Sequence, residues 1–173
     1  MIETYAHHLK DSNLGLTVSN QGGWHSDYLN VSHPEIGPLF SAIDQRLLEL
    51  HKFCGFKDTY KPQLQCAWIN INKEHNFNSA HNHPGSVFSG VYYVKAPNHS
   101  GAIKFLNPIN EHTYTIKNSF VESRNFFNSS MWTEEPEAGK VIFFPSWLLH
   151  YVEPNCSTDE RISIAFNYEL IEV

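Results

Sequence analysis

The sequence is poor in cysteine, in basic residues and in long apolar runs, and each shortage narrows what the protein does. Only three cysteines occur, Cys54, Cys66 and Cys156, widely scattered and with no CxxC pair. An odd, scattered set fits a reducing compartment better than a disulfide scaffold. Lysine and arginine number 12 against 18 acidic residues, a formal net charge of −6, and no basic stripe runs along the chain. That composition argues against grip on the phosphates of a nucleic acid. No apolar run approaches the roughly 20 residues of a membrane-spanning helix. The first ten residues, "MIETYAHHLK", lack the basic and then apolar character of a secretory leader. A soluble, cytoplasmic protein is the expectation.

What is present points to a folded domain. The 173 residues carry 14% aromatic and 17% charged residues, a balance that disfavours disorder. One domain, residues 1–173, is expected, with 1–60 as a helical and irregular support and 61–173 as the core. Residues 1–33 read as irregular, broken by the glycine pair of "SNQGGWHS". Ile36, Leu39, Phe40, Ile43, Leu47, Leu48 and Leu50 then recur near helical period, which predicts a helix from Pro38 to Phe53, closed by Gly55. After it the pattern alternates. Strands are predicted at 64–72, 87–95, 101–106, 113–116, 119–122, 139–144, 148–152 and 161–170, with Pro, Gly, Asn and Ser between them. About eight short strands after one helical segment suggest a mainly β double-sheet jelly roll, with the helix packed outside.

The chemistry starts at "SAHNHPGSVFSGVYYVK", residues 79–95. His81 and His83 are two apart, so on an extended chain they point to one side. Pro84 and Gly85 force a turn just after them. His150 opens a later strand, after the "FPSW" interruption, and in a jelly roll it can converge with the first pair across the barrel mouth. Imidazoles suit iron, copper, nickel and zinc. With 11 histidines in the chain, a single one is more simply a hydrogen-bonded or exposed residue. The pair and its downstream partner are less easily dismissed. Eleven residues past His150, "RISIAF" puts Arg161 and Ser163 on one strand face. An arginine facing a barrel interior is costly unless it meets an anion, and its fork suits a carboxylate, with a hydroxyl adding a further hydrogen bond.

These pieces, taken in order, resemble the Fe(II)- and 2-oxoglutarate-dependent oxygenases, in particular the prolyl-hydroxylase-like branch and its members in phage and marine bacteria. The matching segments are "SNQGGWHS", "AWINI", "HNHPGSVFSGVYYV", "GAIKF", "GKVIFFPSWLLHYVEP" and "RISIAFN". The resemblance implies a double-stranded β-helix and a hydroxylase-type dioxygenase using Fe(II), 2-oxoglutarate and O2. It implies a small-molecule or peptide substrate, with a prolyl or other amino-acid residue as one candidate. It implies that His81 and His150 are the first and distal metal ligands. Arg161 and Ser163 would grip the distal carboxylate of 2-oxoglutarate, joined by Tyr93, which shares a strand face with Ser89 and Val91. The family's acidic ligand position is occupied here by His83. Three outcomes stay open: a three-histidine site, a His83 turned away to leave a place for water or an anion, or a site that is built in another register or inactive. Glu74 does not have the spacing to replace the acid.

Further residues are candidates for the pocket. Asn70 and Asn72 share a face of "AWININ" with Trp68, and Asn167 continues the face of Arg161, Ser163 and Ala165. Gly90 would let a neighbour approach closely on the face opposite Ser89 and Tyr93. Two other function classes compete: a cupin-like three-histidine dioxygenase without 2-oxoglutarate, and a non-catalytic jelly-roll binding module. The Arg161-Ser163 pair disfavours the first.

Overall fold

The computed structural model describes residues 1–108, 116–125 and 128–173. Two helices precede the strands, α1 (Ile2–Ser12) and α2 (Gly37–Phe53), with the short strands β1 (Asn20–Gln21) and β2 (Trp24–His25) between them. The long strand β3 (Tyr60–Asn72) follows, then β4 (Phe77–His81), β5 (Phe88–Lys95), β6 (Ile103–Leu106), β7 (Met131–Glu134), β8 (Val141–Pro145), β9 (His150–Val152) and β10 (Arg161–Glu172). They form two antiparallel five-stranded sheets, in the orders β2-β3-β10-β5-β8 and β1-β4-β9-β6-β7. The fold is the expected double-stranded β-helix with helical support outside.

Helix α2 forms where the apolar period predicts it. Pro38 sits in its first turn, where no backbone donor is missed, and Phe40, Ile43 and Leu47 are buried. They pack on Ala67, Ile69 and Ile71 of β3 and on Ile162, Ile164 and Phe166 of β10. Each such side chain is worth about 1.5–3 kcal/mol on burial. The Tyr168 hydroxyl donates to Asp44 of α2 at 2.6 Å, which ties sheet to helix. A second apolar cluster, Val91, Tyr93, Ile103, Phe105 and Phe144, lies between the two sheets.

Four expectations need correction. Residues 1–33 are not irregular throughout, since Ile2–Ser12 is a helix whose sparse stripe of Ile2, Tyr5, Ala6 and Leu9 packs on the core. Strand β4 was not predicted, because "FNSAH" is polar and only Asn78 of it is buried. Strand β7, "MWTE", is likewise too mixed to show an alternation. The strand expected at 119–122 is absent, and a 3-10 turn occupies Asn118–Phe120. The expected strand at 113–116 lies largely outside the described residues. Gly90 behaves as expected: a Cβ there would overlap the Phe166 ring, which crosses it on the helix side of the sheet.

Candidate metal centre and cavity

Pleating divides the inner sheet into two populations. Along β10, Ile162, Ile164, Phe166 and Tyr168 face the helices, and Arg161, Ser163, Ala165 and Asn167 face the other sheet. Strand register extends the second set sideways into rungs. Asn72 opposes Arg161, Asn70 and Tyr93 flank Ser163, Trp68 and Val91 flank Ala165, and Cys66 and Ser89 flank Asn167. The single methyl of Ala165 leaves room between the polar rungs. The cavity that results is lined by His81, His83, His150, Tyr93, Arg161 and Ser163, together with Asn70, Trp68 and apolar walls from Val91, Ile103, Phe144 and Val152.

The three histidines come from two neighbouring strands and one turn. His81 ends β4 and His150 begins β9, and they are direct cross-strand partners. His83 lies two residues on, where its backbone N–H donates to the Ser146 carbonyl at 2.9 Å. Gly85, at φ +91°, completes the turn that sends the chain into β5. Each imidazole offers one nitrogen, and the three nitrogens lie within 4.8 Å of one another. Nδ1 of His81 donates to the Ser79 carbonyl at 2.7 Å and Nδ1 of His150 to the Leu148 carbonyl at 2.9 Å. Those bonds fix both rings and leave each Nε2 unprotonated, the arrangement that metal-binding histidines adopt.

Burial also keeps the three imidazoles uncharged. Burial, followed by repulsion from His150 and His81, pushes His83 down to about 3. Burial lowers His150 to about 4, against the pull of its bond to Leu148, and lowers His81 as well. All three imidazoles are neutral at neutral pH. The donor set, three neutral imidazoles with converging nitrogens, fits a divalent iron-type ion.

Arg161 is the other pole of the cavity. It is 1% exposed. Its Nη1 is held by the backbone carbonyls of Ser100, Gly101 (3.0 Å) and Glu153 (3.5 Å). Among the described residues, its Nη2 is buried without a partner, as are Ser100 Oγ, Asn70 Oδ1 and Asn72 Oδ1. Burial lowers the guanidinium to about 10, so it stays charged, and burial raises the Tyr93 phenol to about 12. A buried cation with one unsatisfied fork nitrogen is expensive unless an anion completes it.

Not every sequence candidate lines this cavity. Ser89 is turned aside, its hydroxyl bonded to Ser146 and Asn167 at 2.8 Å each. Asn72 points to Asn78, with Nδ2 donating to Oδ1 at 3.4 Å. Asn167 sits on the other side of His83, in an outer mouth shared with His25, Tyr28, Trp68, Asn82, His81 and His83. Sequence reasoning missed the carbonyls that hold Arg161 and the part played by Ser146. Backbone acceptors leave no trace in residue type. The serine is visible only as the residue after Pro145.

With this geometry in hand, comparison with known proteins is decisive. Residues 66–167 match the family model described as "Putative 2OG-Fe(II) oxygenase", more than half of the chain. The chain belongs to the 2OG-Fe(II) oxygenase family. Binding of Fe(II) and 2-oxoglutarate is typical of that family. Solved structures share the fold at low identity. A Pseudomonas putida prolyl-4-hydroxylase superposes at a TM-score of 0.63 with 16% identity, over 97% of this chain and 83% of that one. HygX from Streptomyces hygroscopicus, solved with nickel and 2-oxoglutarate bound, gives 0.62 and 12% over 97% and 77%. A 2OG-Fe(II) oxygenase-family oxidoreductase from Burkholderia pseudomallei gives 0.61 and 14% over 85% of this chain and 66% of that one. No curated protein sequence matches the chain. Among the described residues, no helix is long and apolar enough to cross a membrane.

Proposed function

We propose that this family member is an active Fe(II)- and 2-oxoglutarate-dependent oxygenase, with His81, His83 and His150 as the protein ligands of the ion and Arg161 as the anchor of the co-substrate. The carrying observation is Arg161 Nη2, a buried cationic donor without a partner in the cavity that the three histidines also line. A 2-oxo acid with a second carboxylate has two ends, and this cavity has two matching poles.

When bound, the iron supplies the oxidising chemistry, in which O2 and 2-oxoglutarate are consumed, succinate and CO2 leave, and one oxygen atom goes to a C–H bond of the substrate. The chain's own groups position and protect. Arg161 Nη2 donates to the distal carboxylate, while the three carbonyls on Nη1 keep the fork from swinging away. Ser163 and Tyr93, side by side in register, add hydroxyl donors to the same carboxylate. Asn70, beside Ser163 and lining the same cavity, would offer its amide to the bound acid. Val91, Ile103, Phe144 and Val152 keep bulk water out, which strengthens each of these bonds. His83 in place of a carboxylate would offer a neutral nitrogen, so a bound ion would keep one more positive charge.

The substrate enters from the outer mouth, which is lined by His81 and His83 and not by Arg161. A small molecule or a peptide presenting a prolyl or other amino-acid residue would lie against Trp68, His25 and Tyr28. Three free cysteines support a reducing, intracellular setting. Most strands of the working jelly roll come from 61–173, and 1–60 supply its helical support with the short edge strands β1 and β2.

The test is an anaerobic titration with Fe(II) and 2-oxoglutarate, followed by visible absorption. A charge-transfer band that needs both additions is expected in the wild type. It disappears in His150→Ala and needs far more 2-oxoglutarate in Arg161→Lys. Iron binding without that band would shift the assignment to a three-histidine dioxygenase that takes no 2-oxo acid. Loss of both would leave a binding module.

A further inference from the structure

The three histidines are not held alike. Nδ1 of His81 and of His150 each donates to a backbone carbonyl, at 2.7 Å on Ser79 and 2.9 Å on Leu148. A carbonyl only accepts, so both rings carry their proton on Nδ1 and present a free Nε2. Among the described residues, no carbonyl meets Nδ1 of His83. Its neighbour there is the side-chain amide of Asn167, whose Nδ2 donates to Nδ1 at 3.4 Å and to Cys66 Sγ at 3.6 Å. Oδ1 of the same amide accepts from Ser89 Oγ at 2.8 Å, and Ser89 Oγ lies 2.8 Å from Ser146 Oγ. In this arrangement Nδ1 of His83 is the acceptor. Its proton is on Nε2, which then has no lone pair for an ion.

We propose that Asn167 is a positioning residue with two settings, which selects the tautomer of His83 and so decides whether His83 joins His81 and His150 on a metal. A half-turn of the amide brings Oδ1 to His83 and Nδ2 to Ser89. His83 then donates from Nδ1–H to Oδ1, and Nε2 is free. Ser89 accepts from Nδ2 and turns its own hydroxyl hydrogen to Ser146. The imidazole loses a proton at Nε2 and gains one at Nδ1, so it stays neutral and the chain neither gains nor loses a proton. Ser89 is 1% exposed and Ser146 0%, so the two hydroxyls have only this chain in which to exchange roles. Ser146 also holds His83 from the other side, through the backbone bond from His83 N–H to its carbonyl at 2.9 Å. A carboxylate ligand has no tautomer to choose. An imidazole in its place does, and an amide meets the need in either sense because one end donates and the other accepts.

This inference rests on the proposed function, which places His83 at a metal. The test is 15N-histidine NMR on the metal-free and zinc-loaded full chain, with zinc affinities for Ser146→Ala, Ser89→Ala and His83→Ala. In the metal-free wild type, His81 and His150 are expected to be protonated on Nδ1 and His83 on Nε2, with zinc moving the His83 proton to Nδ1. Asn167→Asp, which offers only acceptors, holds the proton on Nδ1 without metal. Ser146→Ala removes the terminal acceptor, ties the Ser89 hydroxyl to Asn167 Oδ1, and weakens zinc binding about tenfold or more. Ser89→Ala releases the amide and does not weaken it. A metal-free His83 already protonated on Nδ1 overturns the proposal, as do equal affinities in the two serine variants. If His83→Ala is weakened while the serine variants are equal, the ligand set stands and this proposal alone falls. If His83→Ala binds zinc as the wild type does, or the wild type binds none, the ligand set falls first and takes this proposal with it.

Discussion

Strand β10 buries both of its faces, and the two are made of opposite materials. Toward the helices it presents Ile162, Ile164, Phe166 and Tyr168, each at most 1% exposed and each in contact with apolar neighbours. Toward the cavity it presents Arg161, Ser163, Ala165 and Asn167, which carry a charge, a hydroxyl, a methyl and an amide. Arg161, at 1%, is as buried as Phe166 and Tyr168. Burial therefore does not separate the core from the site; the supply of partners does. The helix-side face is fully matched and contributes stability. The cavity face keeps Arg161 Nη2 unmatched, a cost that the fold tolerates because the opposite face holds the strand in place. One strand thus fixes the site rigidly while leaving a donor for a ligand.

The largest break in this comparison should come from Phe166→Ala. The ring lies 6.1 Å from Phe40, 5.8 Å from Phe143 and 5.9 Å from Tyr168, centroid to centroid. Its loss is expected to cost about 3–5 kcal/mol in urea denaturation. The KM for 2-oxoglutarate of the folded fraction should be unchanged, and a shifted KM would show that the two faces are not independent. Arg161→Lys is the reciprocal case. Lysine keeps the charge and loses the fork, so KM for 2-oxoglutarate should rise roughly 10–100-fold, read from succinate formation, with a smaller change in denaturation midpoint. Unchanged KM would remove Arg161 from the carboxylate site.

The same division explains how much was legible beforehand. The apolar face of β10, helix α2 and the long strands β3 and β5 announce themselves through period, and so does the double-sheet architecture. His81, His150, Arg161, Ser163 and Tyr93 were placed by strand parity and by resemblance, and the structure brings them to one cavity. What stayed hidden was polar and local. Strand β4 carries His81 but reads as a loop, because its residues face partners that have no apolar signature. Helix α1 has too narrow a stripe to declare itself. Ser89 was placed with Tyr93 by parity, yet its hydroxyl is taken by Ser146 and Asn167. Parity gives a face and cannot give a partner.

A smaller effect should appear in the pH dependence of the metal-free protein. The ordinary value of 6.5 falls to about 3 at His83 and about 4 at His150, and His81 is also lowered. The unfolded chain therefore binds more protons than the folded chain as pH drops below 6.5. Stability is fully present above that value and is lost as pH falls toward about 4 and then 3. Melting temperature measured from pH 7 downward should decline. Because His83 has the deepest shift, His83→Ala should flatten the decline. An equal slope in that variant would mean that other groups dominate acid unfolding.

The smallest and most local test is Tyr93→Phe. Tyr93 adjoins Ser163 in register and is 2% exposed. Its ring belongs to the apolar cluster between the sheets, which the phenylalanine retains, so denaturation should move by no more than about 1 kcal/mol. Its hydroxyl belongs to the cavity face. Losing one donor to a carboxylate should raise KM for 2-oxoglutarate about 3–10-fold with kcat little changed. Burial pushes the phenol up to about 12, so the group is a protonated donor across the working range. The ratio of wild-type to variant KM should accordingly be flat between pH 6 and 9. A ratio that varied with pH would mean that the missing hydroxyl acts through a titrating neighbour. A ratio of one would assign Tyr93 wholly to packing, leaving Arg161 and Ser163 as the carboxylate's donors.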